Sequence, residues 1–182
     1  MSTTRAPEST FIRLLREQVG HELDAHTQYI AIAVWFDGQD LPQLARHYYR
    51  QSLEERNHAM MIVQYMLDRD IEVKIPAGGA VRSDFEDVIA PIALALSQER
   101  EVTDQIEAIF NAARAEGDAL GEQFMLWFLK EQVEEVAAAS TLLTVAERAG
   151  NNLFDLENFV ARETIGDEGE SADAPEAAGG AL

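Results

Sequence analysis

The 182-residue chain carries 33 acidic and 14 basic residues, a formal charge of −19, with 47% hydrophobic residues and no cysteine. Its length and apolar content suit one globular domain with a sizeable core, and the absence of cysteine excludes disulfides and thiolate metal sites. The acidic balance repels nucleic-acid phosphates and anionic membranes and attracts cations, so neither a nucleic acid nor a membrane is expected as partner.

Met1–Gln18 lacks the apolar stretch of a signal peptide, and the longest apolar run, Tyr29–Phe36, is too short to span a bilayer. A soluble, cytoplasmic protein is expected. Five prolines and eleven glycines fall mainly in a few clusters, leaving long uninterrupted stretches that indicate an all-α fold.

Ser9 or Thr10 caps a first helix reaching about Asp37, with inner stripe Ile12, Leu15, Val19, Glu22, His26, Tyr29, Ala33 and Phe36. A second helix, with Pro42 in its first turn, runs to about Asp68. Leu44, Tyr48, Gln51, Glu55, His58, Ile62 and Tyr65 share one face of it.

The segment from Asp70 to Phe85 has no helical period. Nearly extended, it reaches roughly 50 Å, enough to return along a helix of about 42 Å. It therefore lets the third helix, from about Val88 to Ala115, run parallel to the second. The fourth helix follows Gly117-Asp118 and ends near Ala149; a short fifth spans Leu153–Glu163 and presents Phe154, Leu156 and Phe159 for packing on other subunits. Two hairpins joined by one long crossover make a four-helix bundle. From Thr164 the chain is mostly Gly, Ala, Asp and Glu, and a disordered acidic tail over 164–182 is expected beside a folded domain over 1–163.

Each long helix carries a carboxylate in its apolar stripe: Glu22, Glu55, Glu99 and Glu135. Antiparallel pairing brings Glu22 level with Glu55 and Glu99 level with Glu135. Two like charges about 4 Å apart repel by roughly 4 kcal/mol at an effective dielectric of 20. The inner stripes offer no basic residue to relieve this, whereas two divalent cations would cancel it. His58 lies three residues from Glu55 on the same face, so carboxylate and imidazole converge. Oxygen ligands with one imidazole suit iron, manganese or zinc. Tyr29 and Trp127 fall near this layer, as electron donors, hydrogen-bond partners or core aromatics; His26 is placed to support the ligands from behind or simply to pack, and His21 and His47 for exposure.

Four stretches carry a resemblance: Leu53-Glu-Glu-Arg-Asn-His-Ala59, Gln98-Glu-Arg100, Trp127-Phe-Leu-Lys-Glu-Gln-Val-Glu-Glu135 and Gly150-Asn-Asn-Leu-Phe-Asp155. Over residues 8–163 the chain resembles the bacterial non-haem ferritins of the bacterioferritin B type. The resemblance implies a ferritin-like bundle assembled as a 24-mer shell, in which Fe(II) is oxidised by O2 or H2O2 and stored as ferric mineral. It implies one iron on Glu22, Glu55 and His58, and a second bridged by Glu55 and held by Glu99 and Glu135 with Gln132 close by. A third, weaker iron position would fall on Glu54, Glu131, Glu134 and shared Glu135. Tyr29 and Trp127 match the family's redox-active aromatics, and Asp118 and Glu122 would flank the pores through which iron enters. Bacterioferritins proper carry a second Glu-x-x-His where this chain has Gln132-Val-Glu-Glu135, and a haem-binding Met where it has Arg56, so no haem is expected. Two other functions remain to be weighed: a di-iron monooxygenase or reductase, and a metal-free scaffold.

Overall fold

The computed structural model describes residues 9–163 and 173–182. Five helices follow in order: α1 Thr10–Gly38, α2 Pro42–Asp68, α3 Ile89–Glu116, α4 Ala119–Ala149 and α5 Leu153–Arg162. α1 packs along α2 and α3 along α4, α1 also meets α3, and α5 lies across α2 and α4. Among the described residues no helix is long and apolar enough to cross a membrane.

The crossover from 70 to 88 follows α1. Arg16 Nε donates to the Glu72 carbonyl at 3.0 Å, and Gly79 N–H donates to Asp24 Oδ1 at 2.6 Å. The Gln28 amide pairs with both backbone groups of Arg82, at 2.7 and 2.8 Å, as a neighbouring strand would. Gly20 lets this strap lie close, because a Cβ there would sit 3.0 Å from Pro76 Cγ. Phe85 then stacks edge-on against Trp35, so α3 begins beside the end of α1 and runs parallel to α2.

Helix ends are capped at long range. Glu116, at the end of α3, accepts from the N–H groups of Thr10 and Phe11 at the start of α1 (2.7 and 3.2 Å). The α2 N-terminus lacks a cap of its own, and Glu157 of α5 accepts from Gln43 N–H and Leu44 N–H, each at 2.9 Å. These bonds satisfy amides that a helix start leaves unpaired. They also hold α5 down. Of its three expected interface residues, Leu156 is instead buried in the chain's own core and Phe159 is partly covered, while Phe154 stays 75% exposed.

The tail expected to be disordered divides into two parts. Residues 164–172 lie outside the described residues, whereas 173–182 pack on the bundle. Ala174, Ala177 and Ala178 cover one end of the core, and Ala178 N–H donates to the Met60 carbonyl at 3.0 Å. Asn57 grips both backbone groups of Leu182, at 3.2 and 3.3 Å. Small apolar side chains and exposed peptide groups make this docking possible where acidic residues alone would not.

The core forms two apolar clusters. One contains Phe36, Leu44, Ile92 and Leu142, the other Phe11, Ile62, Ile106 and Phe128. Between them lies a polar layer.

Candidate metal centre

Glu22, Glu55, His58, Glu99, Gln132 and Glu135 are all buried, one or two from each long helix. The apolar residues a turn above and below belong to the two clusters, so the helices form for ordinary burial reasons and carry the acids inside with them. Ligand atoms of Glu22, Glu55 and His58 lie within 4.8 Å of one another, and His58 Nδ1 is 3.4 Å from Glu55 Oε2. Tyr29 donates its hydroxyl to Glu99 Oε1.

Electrostatics records the crowding. Burial first, then the charges of Glu99 and Glu22, pushes the Glu55 carboxyl well above the usual range. Burial, then Glu99, Glu55 and Glu54, does the same to Glu135. Burial raises Glu99 to about 7, against a counteracting hydrogen bond from Tyr29. No Lys or Arg is among the leading influences on these three acids. Glu22 Oε2, Glu55 Oε1 and Glu99 Oε2 are buried without a hydrogen-bond partner. Unpaired buried oxygens are costly, and a cation is the group that would satisfy them. The donor set fits a hard or borderline divalent metal.

Amides orient the acids. Gln18 Nε2 donates to Glu22 Oε1 at 2.9 Å, and Gln51 Nε2 to Glu135 Oε2 at 3.1 Å. Thr103 Oγ1 donates to Gln132 Oε1 at 3.0 Å, and the Gln132 amide helps draw the Glu99 carboxyl down. Sequence reading missed Gln18 and Thr103, because a lone Gln or Thr on a helix has no distinguishing pattern. Gln51 lay on the inner stripe without an assigned task.

The remaining site residues sit at the margin of the layer. Glu131 is buried, Glu54 half-buried, and Glu134 exposed beside Lys130 at 3.8 Å. These three do not converge as Glu22, Glu55 and His58 do. Trp127 is half-buried, its ring edge-on to His58 at 5.7 Å and its Nε1 buried without a partner. His26 Nδ1 is 2.6 Å from the Ser52 carbonyl, joining α1 to α2, and His21 is exposed. His47 departs from expectation. It is buried, in a cavity wall it shares with Ala95 of α3 and Ala138 and Ala139 of α4. The proposed pore acids are already engaged: Asp118 pairs with Arg69 at 2.6 Å and Glu122 with Arg114 at 3.1 Å. Asp118 also caps α4 through Gly121 N–H at 3.0 Å.

A helical bundle with a long crossover and a carboxylate–imidazole cluster in its middle defines a class that comparison with known proteins identifies. The family model described as "Ferritin-like domain" matches residues 12–149, and the chain belongs to this family. It is 58% identical to "Ferritin BfrB" of Mycolicibacterium smegmatis and 56% identical to "Ferritin BfrB" of Mycobacterium tuberculosis (Erdman), over 100% of both chains in each case. It is 32% identical to "Bacterial non-heme ferritin" of Staphylococcus aureus (MRSA252), covering 86% of this chain and 96% of that one. Among solved structures, the open pore ferritin of Archaeoglobus fulgidus superposes with a TM-score of 0.82 at 24% identity, over 86% of this chain and 98% of that one, a likeness of fold.

Proposed function

We propose that the protein is a cytoplasmic iron-storage ferritin that oxidises Fe(II) at a two-iron centre within each subunit and keeps the ferric mineral inside a 24-mer shell. One observation carries the reading: Glu22, Glu55 and His58 converge beside buried Glu99 and Glu135, and oxygens of Glu22, Glu55 and Glu99 are buried without a hydrogen-bond partner. Two ferrous ions balance four carboxylates in charge.

Iron enters as substrate. Glu22, Glu55 and His58 hold one ion; Glu55, Glu99 and Glu135 hold the other, with Gln132 beside it. Together the two ions supply the two electrons that reduce H2O2 to water or O2 to H2O2. Tyr29 and Trp127 stand beside the layer as further electron donors. Glu54, Glu131 and Glu134, with shared Glu135, offer a looser third position toward the surface. A monooxygenase would need an organic substrate pocket next to the metals. The cavity adjoining this layer has only about 20 Å3 of water-accessible space, too little for an organic substrate.

Exposed Phe154, Leu126, Val133 and Leu120 supply apolar surface for subunit contacts. Size-exclusion chromatography with iron staining tests both halves of the proposal. A species of roughly half a megadalton is expected from chains of 20.2 kDa. Anaerobic titration should show about two tight Fe(II) equivalents per chain in the parent, with loss of tight binding in Glu55→Ala. A small oligomer that takes up no iron would refute the proposal.

A further inference from the structure

Beside the Glu99–Glu135 side of the layer is a small cavity with about 20 Å3 of water-accessible space, walled by His47, Tyr48, Gln51, Glu135, Ala95 and Ala138, among others. One water needs roughly 10–15 Å3 on that measure, together with two to four polar partners. Alanines from α3 and α4 leave the room; residues of α2 supply the polarity.

His47 is the unexplained member. It is 7% exposed, its ring meets Tyr48 edge-on at 4.9 Å, and its Nδ1 is sealed from solvent without a partner. Burial, then the Arg50 charge, pushes the ring down to about 3, so it is neutral at ordinary pH. A neutral imidazole presents an acceptor or an N–H at Nδ1 according to tautomer, and water answers either. Dioxygen answers neither well, and hydrogen peroxide has two heavy atoms where there is room for one. One turn further along the same face of α2, Gln51 spends one amide hydrogen on Glu135 and keeps a second.

We propose that this cavity is a built water site, in which His47 Nδ1 and the Gln51 amide hold one solvent molecule against the Glu99–Glu135 side of the metal layer. His47 is then a positioning residue. It supplies a solvent molecule to the side of the layer that has only carboxylates, whereas the other side has the His58 imidazole. The assignment of this water to a metal rests on the two-iron reading above; the water site itself does not.

Two measurements separate these parts. The assembled, metal-free protein is crystallised at a resolution that shows ordered solvent, as parent, His47→Phe and His47→Asn. Each is then titrated with cobalt(II), whose visible absorption strengthens as its coordination number falls. The parent should show one density peak within hydrogen-bond distance of His47 Nδ1. His47→Phe should lose the peak and intensify the cobalt bands. His47→Asn, whose amide reaches the Nδ1 position, should restore both. An empty parent cavity, or a peak that persists in His47→Phe, would overturn the water site. Unchanged cobalt spectra in His47→Phe would overturn its role toward the metal. Parent protein that takes up no cobalt would overturn the two-iron reading and the water's metal role with it, while the density still decides the site.

Discussion

In the metal-free protein the acid layer is a stability cost whose size follows the pH, and Glu99→Gln isolates one member. Burial lifts the Glu99 carboxyl from an ordinary 4.5 to about 7. Below pH 4.5 it is protonated in folded and unfolded chains alike and costs nothing. Between 4.5 and about 7 the unfolded chain ionises while the folded one keeps its proton, so stability falls by roughly 1.36 kcal/mol per pH unit. Above about 7 both forms are ionised and the loss stays near 3 kcal/mol, an order-of-magnitude figure for a group coupled to its neighbours. Glutamine keeps the oxygen that accepts from the Tyr29 hydroxyl and never ionises. Urea unfolding of both proteins at one chain concentration, with metal chelated, should give curves that nearly coincide at pH 4.5. The variant should be more stable by about 2–3 kcal/mol at pH 8. Anaerobic Fe(II) should reverse the order at pH 8, since ligand binding stabilises only the form that holds it. A stability difference independent of pH, or a variant weaker than the parent at pH 8, would refute the reasoning.

Three further outcomes follow from packing and capping. Gly121→Ala places a Cβ 2.8 Å from the Phe11 ring, a clash in a filled core expected to cost about 1–3 kcal/mol, read as a drop in Tm. Glu157→Ala removes both acceptors at the start of α2, and should cost about 1–2 kcal/mol; hydrogen exchange should rise at Gln43, Leu44 and through α5. Deleting residues 173–182 strips the partner from Asn57 and the cover from Met60, so exchange and protease sensitivity should rise on that stretch of α2 while the far core cluster is unchanged.

Much of the site was legible before the fold because helical period is a local property. A glutamate in an apolar stripe, repeated on four helices at matching distances from two short turns, needs only 3.6 residues per turn to be placed in one layer. Glu22, Glu55, Glu99 and Glu135 were located in this way, and His58 followed from its three-residue spacing. Helix ends were readable too: Ser9 caps α1, and Gly117 ends α3 at a φ of 72° that favours glycine.

What the sequence determined by itself is the set of helices, their inner faces, the crossover and the acids those faces carry inward. Their rules span four residues or the length of one loop. The tertiary structure alone decided which side chains from distant segments meet. Glu157 capping α2, Asn57 gripping Leu182, Arg69 taking up Asp118, and Ala95 and Ala138 walling in His47 join residues that no periodic pattern relates. Burial of one residue by another far along the chain is a property of the packed whole, and it exists only once the helices are docked.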